Sequence, residues 1–237
     1  MPAPRALILA AGRGERLRPL TDTCPKPLLE VGGKPLIAWH LEALAAAGVR
    51  EVVINTAWLE EQFPAVLGDG SRWGLAIHYS MERRDHGAAL ETAGGIAKAL
   101  PRLVQPGCDV FWAVSGDVFL PRFAFSPGDA RRFGDSATDA HLWLVPNAPH
   151  HPQGDFGLDA ARWRAAATGP RWTWASVGLF RASMFDGVAP DRPMKLRPLL
   201  DAALARDRLG AERWHGRWID VGSVERLDEA RRDAALP

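Results

Sequence analysis

A short apolar run, Ala6 to Ala11, feeds into Gly12 and Gly14 and then into Arg16, Arg18 and Lys26, with Pro19, Pro25 and Pro27 stiffening the return. A run this short and this uniformly apolar reads as a strand buried on both faces, which demands helices above and below its sheet. Glycines directly behind such a strand leave backbone N–H groups free to point at an anion, because no Cβ blocks the approach. Arginine offers a planar fork of donors and lysine a point charge, and both suit phosphate oxygens. Strand, small-residue loop and three cations together make a cradle for a polyphosphate. Two common phosphate loops are excluded. No Gly-x-x-x-x-Gly-Lys-Ser/Thr occurs. Leu17 stands where a dinucleotide fingerprint opening at Gly12 would need its third glycine.

Strand and helix signals then alternate. Pro35 opens a predicted helix that runs to Ala47 and stops at Gly48. Glu51 to Asn55 is a second buried strand, Trp58 to Leu67 a helix closed by Gly68, and Leu75 to Ser80 a third strand. Glu82 to Leu90 reads as a polar loop, Glu91 to Leu100 as a helix, and Asp109 to Val114 as the next strand. Repeats of this length pair their strands in parallel. The expected fold is α/β: a doubly wound, Rossmann-like three-layer sandwich on a mixed, mainly parallel sheet.

The second half changes character. His141 to Val145 and Trp172 to Phe180 read as strands, with the loop Asn147 to Asp155 and a short segment near Phe156 between them. Met194 to Arg206 is an amphipathic helix, and Glu212 to Trp214 with Arg217 to Ile219 a hairpin around His215-Gly216. Ser223 can cap a last helix, with Glu225 in its first turn. No linker or repeat interrupts the chain, so one domain, 1–237, is expected, with a substrate-facing insertion in its second half.

Charge narrows the class of partner. A net charge of +1 argues against a broad nucleic-acid or membrane-binding surface. No run approaches the roughly 18 apolar residues of a membrane span. Cys24 and Cys108 are far apart, without metal-ligand spacing, as in a reducing compartment. The N-terminal apolar run is too short for a signal peptide, so the chain reads as cytoplasmic.

Open α/β sheets hold their ligands beyond the carboxyl ends of strands. Asp117, in Ser115-Gly116-Asp117, and Asp220, in Asp220-Val221-Gly222, each follow a strongly apolar strand. A carboxylate left there without a partner is costly to desolvate. A carboxylate there offers hard oxygens to a cation. An aspartate in either place also serves as an ordinary turn or cap residue. His150 and His151 are adjacent but have no third ligand at zinc-like spacing, which favours a plain loop.

The stretch Leu9-Ala10-Ala11-Gly12-x-Gly14-x-Arg16-Leu17-x-Pro19-Leu20-Thr21, followed by Pro25-Lys26-Pro27, resembles the signature of the sugar-1-phosphate nucleotidylyltransferases at every fixed position. The resemblance implies transfer of a nucleotidyl group from a nucleoside triphosphate to a sugar 1-phosphate, with Mg2+ held by Asp117 and Asp220. Lys26 then neutralises the α-phosphate and Arg16 steadies the leaving pyrophosphate, while Arg18 is equally a solvated face. Ala10, Ala11, Gly12 and Gly14 give backbone contacts to the nucleotide. Glu82 and the turn Thr92-Ala93-Gly94-Gly95, Gly94 included, stand where the family reads the base, with Ala93 replacing a glycine.

Further segments are similar to the short subgroup that contains the N-acetylmuramate-1-phosphate uridylyltransferases. They are Asn55 to Leu59, Gly68 to Leu75, Leu90 to Thr92, Asn147 to Phe156 with His150 and His151, and Trp218 to Gly222. This likeness implies UTP and N-acetylmuramate 1-phosphate as reactants, in cell-wall recycling. A nucleotide-binding half then ends near residue 118 and a sugar-binding half follows, with Ser115, Asn147, Asp155 and Lys195 as sugar-side candidates. Lys195 is also readable as a solvated helix start. The alternatives are the same chemistry on other reactants, such as mannose-1-phosphate guanylyltransferase, or a nucleotide-sugar-sensing regulatory subunit. Such subunits tend to lose the phosphate-binding cations or the metal aspartate, and this chain keeps Arg16, Lys26, Asp117 and Asp220.

Overall fold

The first strand, β1 (Ala6–Ala10), separates two apolar layers. In the computed structural model, which describes residues 2–236, Ala6, Ile8 and Ala10 pack on one face with Ile37, Leu41 and Leu44. Leu7 packs on the other face with Ala93, Ile96 and Leu103. Period-two alternation along the strand thus buries apolar groups on both sides, and a helix covers each.

Behind β1 the chain turns through a 3-10 helix at Glu15–Leu17, α1 (Leu20–Thr23) and a second 3-10 turn at Lys26–Leu28. The hairpin β2 (Glu30–Val31) and β3 (Lys34–Pro35) leads to α2 (Leu36–Ala46), then β4 (Glu51–Thr56), α3 (Gln62–Leu67) and β5 (Ala76–Met81). Two helices follow, α4 (Glu82–His86) and α5 (Glu91–Leu103), then β6 (Val110–Ser115), β7 (Val118–Phe119) and α6 (Pro127–Gly134). The remainder is β8 (Ala140–Val145), β9 (Phe156–Asp159), β10 (Arg164–Ala166), β11 (Arg171–Arg181), α7 (Arg197–Ala205), β12 (Leu209–Arg213), β13 (Ile219–Asp220) and α8 (Val224–Ala234).

Nine strands make one sheet in the order β5-β4-β1-β6-β11-β8-β12-β10-β9, with β9 also paired to β11. From β5 to β6 all pairs are parallel; β11 then runs antiparallel to β6 and β8. The chain leaves β1 toward β4 and β5 and crosses back to β6, so the winding reverses between β1 and β6. A ligand crevice opens at such a reversal. Gly116 closes its floor, donating its amide to Leu9 O at 2.8 Å. A Cβ at Gly116 would lie 3.2 Å from Ile8 Cγ2 and 3.3 Å from Leu9 O, so glycine is what lets the turn after β6 pack this closely.

Four expected elements differ. Glu82 to Leu90 opens with helix α4 rather than loop throughout, and Trp58 to Glu61 forms turns ahead of the shorter α3. The helix expected from Met194 starts only at Arg197, because Met194 is held against the start of α5. Its amide donates to Leu90 O at 3.0 Å, and its carbonyl accepts from Ala93 N at 2.8 Å and Gly94 N at 3.2 Å. The hairpin around His215-Gly216 does not form. β12 pairs in parallel with β8, while β13 pairs antiparallel with β7. Ser223 does cap α8, its Oγ accepting from Arg226 N at 3.4 Å.

Candidate active site

The glycine loop folds back on its own return. Gly14 sits at φ 69°, and a Cβ there would press within 3.0 Å of Thr21 Cγ2 and 3.2 Å of Lys26 Cβ. Thr21 Oγ1 donates to Gly14 O at 2.9 Å and fixes that turn. The prolines on either side of Lys26 set its backbone, and its side chain runs inward to end 2.5 Å from Asp117 Oδ2. The other carboxylate oxygen, Oδ1, accepts from Ser115 Oγ at 2.6 Å. Burial works against the charged form of Asp117. The Lys26 charge and the hydrogen bonds from Lys26 and Ser115 outweigh it, and hold the carboxyl below the usual carboxylate range. Asp117 is therefore ionised at neutral pH, although only about a quarter of its side chain (27%) is exposed.

Asp220 reaches the same place from the other end of the chain. In the β7–β13 ribbon Asp220 lies opposite Val118, and Val221 N donates to Asp117 O at 3.0 Å. Asp220 on β13 thus lies one residue pair along from Asp117, which sits in the turn that leads into β7. Asp220 Oδ2 faces His150 Nε2 and Arg226 NH2, each at 3.4 Å. Beneath the ribbon, the buried His40 of α2 donates from Nε2 to Val118 O at 2.9 Å. Burial pushes this imidazole down to about 4, against the opposing pull of the Val118 carbonyl, the Asp117 charge and the Ser115 carbonyl.

Three cavities meet these residues. A crevice of about 370 Å³ at the β1–β6 reversal is lined by Ala10, Ala11, Gly12, Lys26, Ser115 and Asp117, together with Asn55 and Glu91. A pocket of about 350 Å³ is lined by Arg16, Gly14, Lys26 and Gly222. Gly222 leaves room there for both guanidinium tips, since a Cβ would displace those of Arg16 and Arg226. A third cavity, about 500 Å³, lies on the far side of Asp220 and is bounded by Val145, Pro146, His150, Trp218 and Arg226. Arg18 points elsewhere and pairs with Asp22 at 2.7 Å on the surface.

Other expected site residues lie behind the walls. Glu82 is fully buried and lines none of these three cavities; its carboxylate accepts from Asn55 Nδ2 at 2.8 Å and Leu90 N at 2.7 Å. Desolvation raises its pKa, with those two bonds and the Lys98 and His86 charges opposing. Asn55, so oriented, offers Oδ1 to Ala10 N at 2.9 Å. Gly94 faces the segment before α7, where a Cβ would meet Arg192 O at 2.4 Å.

On the sugar side, Asn147 donates Nδ2 to Pro152 O at 3.1 Å and Arg171 O at 3.0 Å, and its Oδ1 accepts from Thr173 at 2.9 Å. Asp155 accepts from Trp174 N at 2.8 Å, with His151 3.3 Å away. Both are spent on shaping the loop between β8 and β9. Lys195 is exposed and borders none of the three cavities. His40, Arg226 and Arg13 join the site without a sequence assignment, and Asn55, known from sequence only as the start of a segment like the subgroup's, joins them. Only Arg13, a cation between the two loop glycines, carried a local signal.

Comparison with known proteins agrees with this geometry. Residues 5–161 match the family described as nucleotidyl transferase. Over 229 residues, 96% of each chain, the sequence is 47% identical to the N-acetylmuramate alpha-1-phosphate uridylyltransferase of Neisseria meningitidis. It is 34% identical over 234 residues, 94% of each chain, to the protein of that name from Caulobacter vibrioides. In fold it is similar to a Bacillus anthracis protein assigned as a glucose-1-phosphate thymidylyltransferase, solved with sucrose. The TM-score is 0.82 at 20% identity, over 98% of this chain and 96% of that one.

Proposed function

The chain belongs to the nucleotidyl transferase family, and from that premise we propose that it moves a uridylyl group from UTP onto N-acetylmuramate 1-phosphate, in the recycling of cell-wall sugars. In this reaction a phosphate oxygen of the sugar phosphate forms a bond to the α-phosphorus, and the bond to the bridging oxygen of pyrophosphate breaks. Two polyanions must meet, so the site has to supply positive charge rather than a protein nucleophile. The observation that carries the reading is the pairing of Lys26 and Asp117 at the mouth of the β1–β6 crevice, with Asp220 on the neighbouring strand.

Each side chain then has a task. The nucleoside lies in the crevice against Ala10, Ala11 and Gly12, whose backbone Asn55 steadies. Lys26 faces the α-phosphate, where charge builds in the transition state, and Arg16 holds the departing pyrophosphate in the pocket beside Gly222. The sugar occupies the cavity beyond Asp220, walled by Trp218 and the His150 loop.

Magnesium suits this donor set. Asp117, in the turn before β7, and Asp220, on the strand paired with β7, bring hard oxygens, and Asp117 is held ionised. Among the described residues no group of three His, Cys, Asp or Glu forms an all-protein cage. Magnesium commonly takes one or two carboxylates and fills its shell with phosphate oxygens and water. Bound there, it would neutralise phosphate charge and orient the triphosphate. Free thiols at Cys24 and Cys108 fit a reducing, cytoplasmic setting.

The test is pyrophosphate release over a grid of four nucleoside triphosphates against several sugar 1-phosphates. UTP with N-acetylmuramate 1-phosphate is expected to give the highest kcat/KM. A higher value for another pair would reassign the substrates, and no turnover with any pair would defeat the reading.

A further inference from the structure

Two residues line both the nucleoside crevice and the pocket beside Arg16: Lys26 and Arg13. A chain of phosphates that occupies both spaces therefore has both residues within its walls. Lys26 is buried and held by Asp117. Arg13 is held much more loosely. Its side chain is half-exposed (51%), and its ion pair with Glu15 spans 3.8 Å to a still more exposed carboxylate.

The main contact of Arg13 is to an aromatic ring, with its guanidinium carbon 4.5 Å from the centroid of Trp58. That ring is a fixed platform. Trp58 Nε1 donates to Thr21 O at 2.8 Å, and Thr21 is itself tied to Gly14. The backbone that carries Arg13 is tied to Thr21 on its Gly14 side and has open space on its Gly12 side. It lies between two glycines, and a Cβ at Gly12 would meet nothing within 4 Å. A half-exposed guanidinium over a half-buried ring is held only modestly, whereas a forked bond to phosphate is one of the stronger charge-assisted contacts.

We infer that Arg13 is a second polyphosphate-binding residue, resting on Trp58 in the free protein and passing to the β- and γ-phosphates when a nucleoside triphosphate enters. This rests on the triphosphate reading above. Arg13 would then determine how strongly the protein prefers a triphosphate to a monophosphate, and Trp58 would report its departure.

The experiment is a calorimetric titration of wild-type protein, Arg13→Met and Arg13→Lys with UTP plus Mg2+ and, separately, with UMP, without sugar phosphate. Arg13→Met is expected to weaken UTP by about 10- to 100-fold, the loss of a charge-assisted bond, and to leave UMP within about twofold. Arg13→Lys, with its charge but no fork, should fall between. Wild-type tryptophan emission should change with UTP but not with UMP, and Trp58→Phe or Arg13→Met should remove that change. Equal losses for UTP and UMP, or an unchanged UTP affinity, would overturn the role of Arg13 alone. A wild-type protein that bound no triphosphate would overturn the functional reading and this inference with it.

Discussion

Val221 donates its amide to the carbonyl of Asp117 across 3.0 Å, and that bond ties the end of the sheet's fourth parallel strand to a segment a hundred residues further on. The ribbon it belongs to sets Asp220 opposite Val118. The ribbon therefore links Asp117, which lines the crevice, to Asp220, which lines the third cavity. Lys26 meets the first of them and Arg226 the second. Each carboxylate thus has a cation beside it before any substrate arrives.

Lys26→Ala separates binding from catalysis. If Lys26 acts on charge that builds in the transition state, kcat should fall by about 100-fold or more while KM for UTP moves much less. Steady-state kinetics in both substrates check this. A rise in KM with kcat intact would make Lys26 a uniform binder.

His40 should make the fold acid-sensitive in a defined window. Its imidazole is pushed from 6.5 to about 4 by burial, so between those values the unfolded chain binds a proton that the folded chain does not. Stability present above pH 6.5 is therefore lost as pH falls toward 4, by about 3 kcal/mol in all. His40→Gln removes this titration. Urea unfolding at pH 7, 6 and 5 should show a shallower loss for the variant than for wild type, and an identical slope would exclude His40 as its source.

Glu82→Gln tests a wall rather than a reader of the base. Glu82 presents two acceptors to two donors, Asn55 Nδ2 and Leu90 N. Glutamine offers one acceptor and leaves one donor facing another, which should cost about 1–3 kcal/mol of stability. KM for UTP should rise because Asn55 loosens its hold on Ala10, while the order of preference among the four triphosphates stays fixed. A changed order would place Glu82 in contact with the base.

What could be seen in the sequence follows from range. The β1 run, the glycine loop and the Pro25-Lys26-Pro27 return are local, and their consequences stay within some twenty residues. Asp117 and Asp220 were visible as strand-end carboxylates for the same reason. The partner of each strand was not, because alternation states which face is buried and not what lies alongside. Hence Arg217 to Ile219 read as one arm of a hairpin, although β13 pairs with β7. Met194 fits a helical periodicity but lies outside α7, because the start of α5 takes both its amide and its carbonyl. Glu82 and Asn147 are polar groups near the site, and only the packing reveals that their hydrogen bonds are used inward.

The account's central claim is that Asp117 and Asp220 serve one magnesium-bound triphosphate. UTP affinity, measured with and without Mg2+ for wild type, Asp117→Asn, Asp220→Asn and the double variant, tests it most directly. Wild type should gain affinity with the metal. Each single variant should lose that gain by more than the roughly tenfold that removal of even an outer partner costs a metal site, and the double variant should lose little more. Losses that simply add, or single variants that keep the full magnesium gain, would contradict a shared ion.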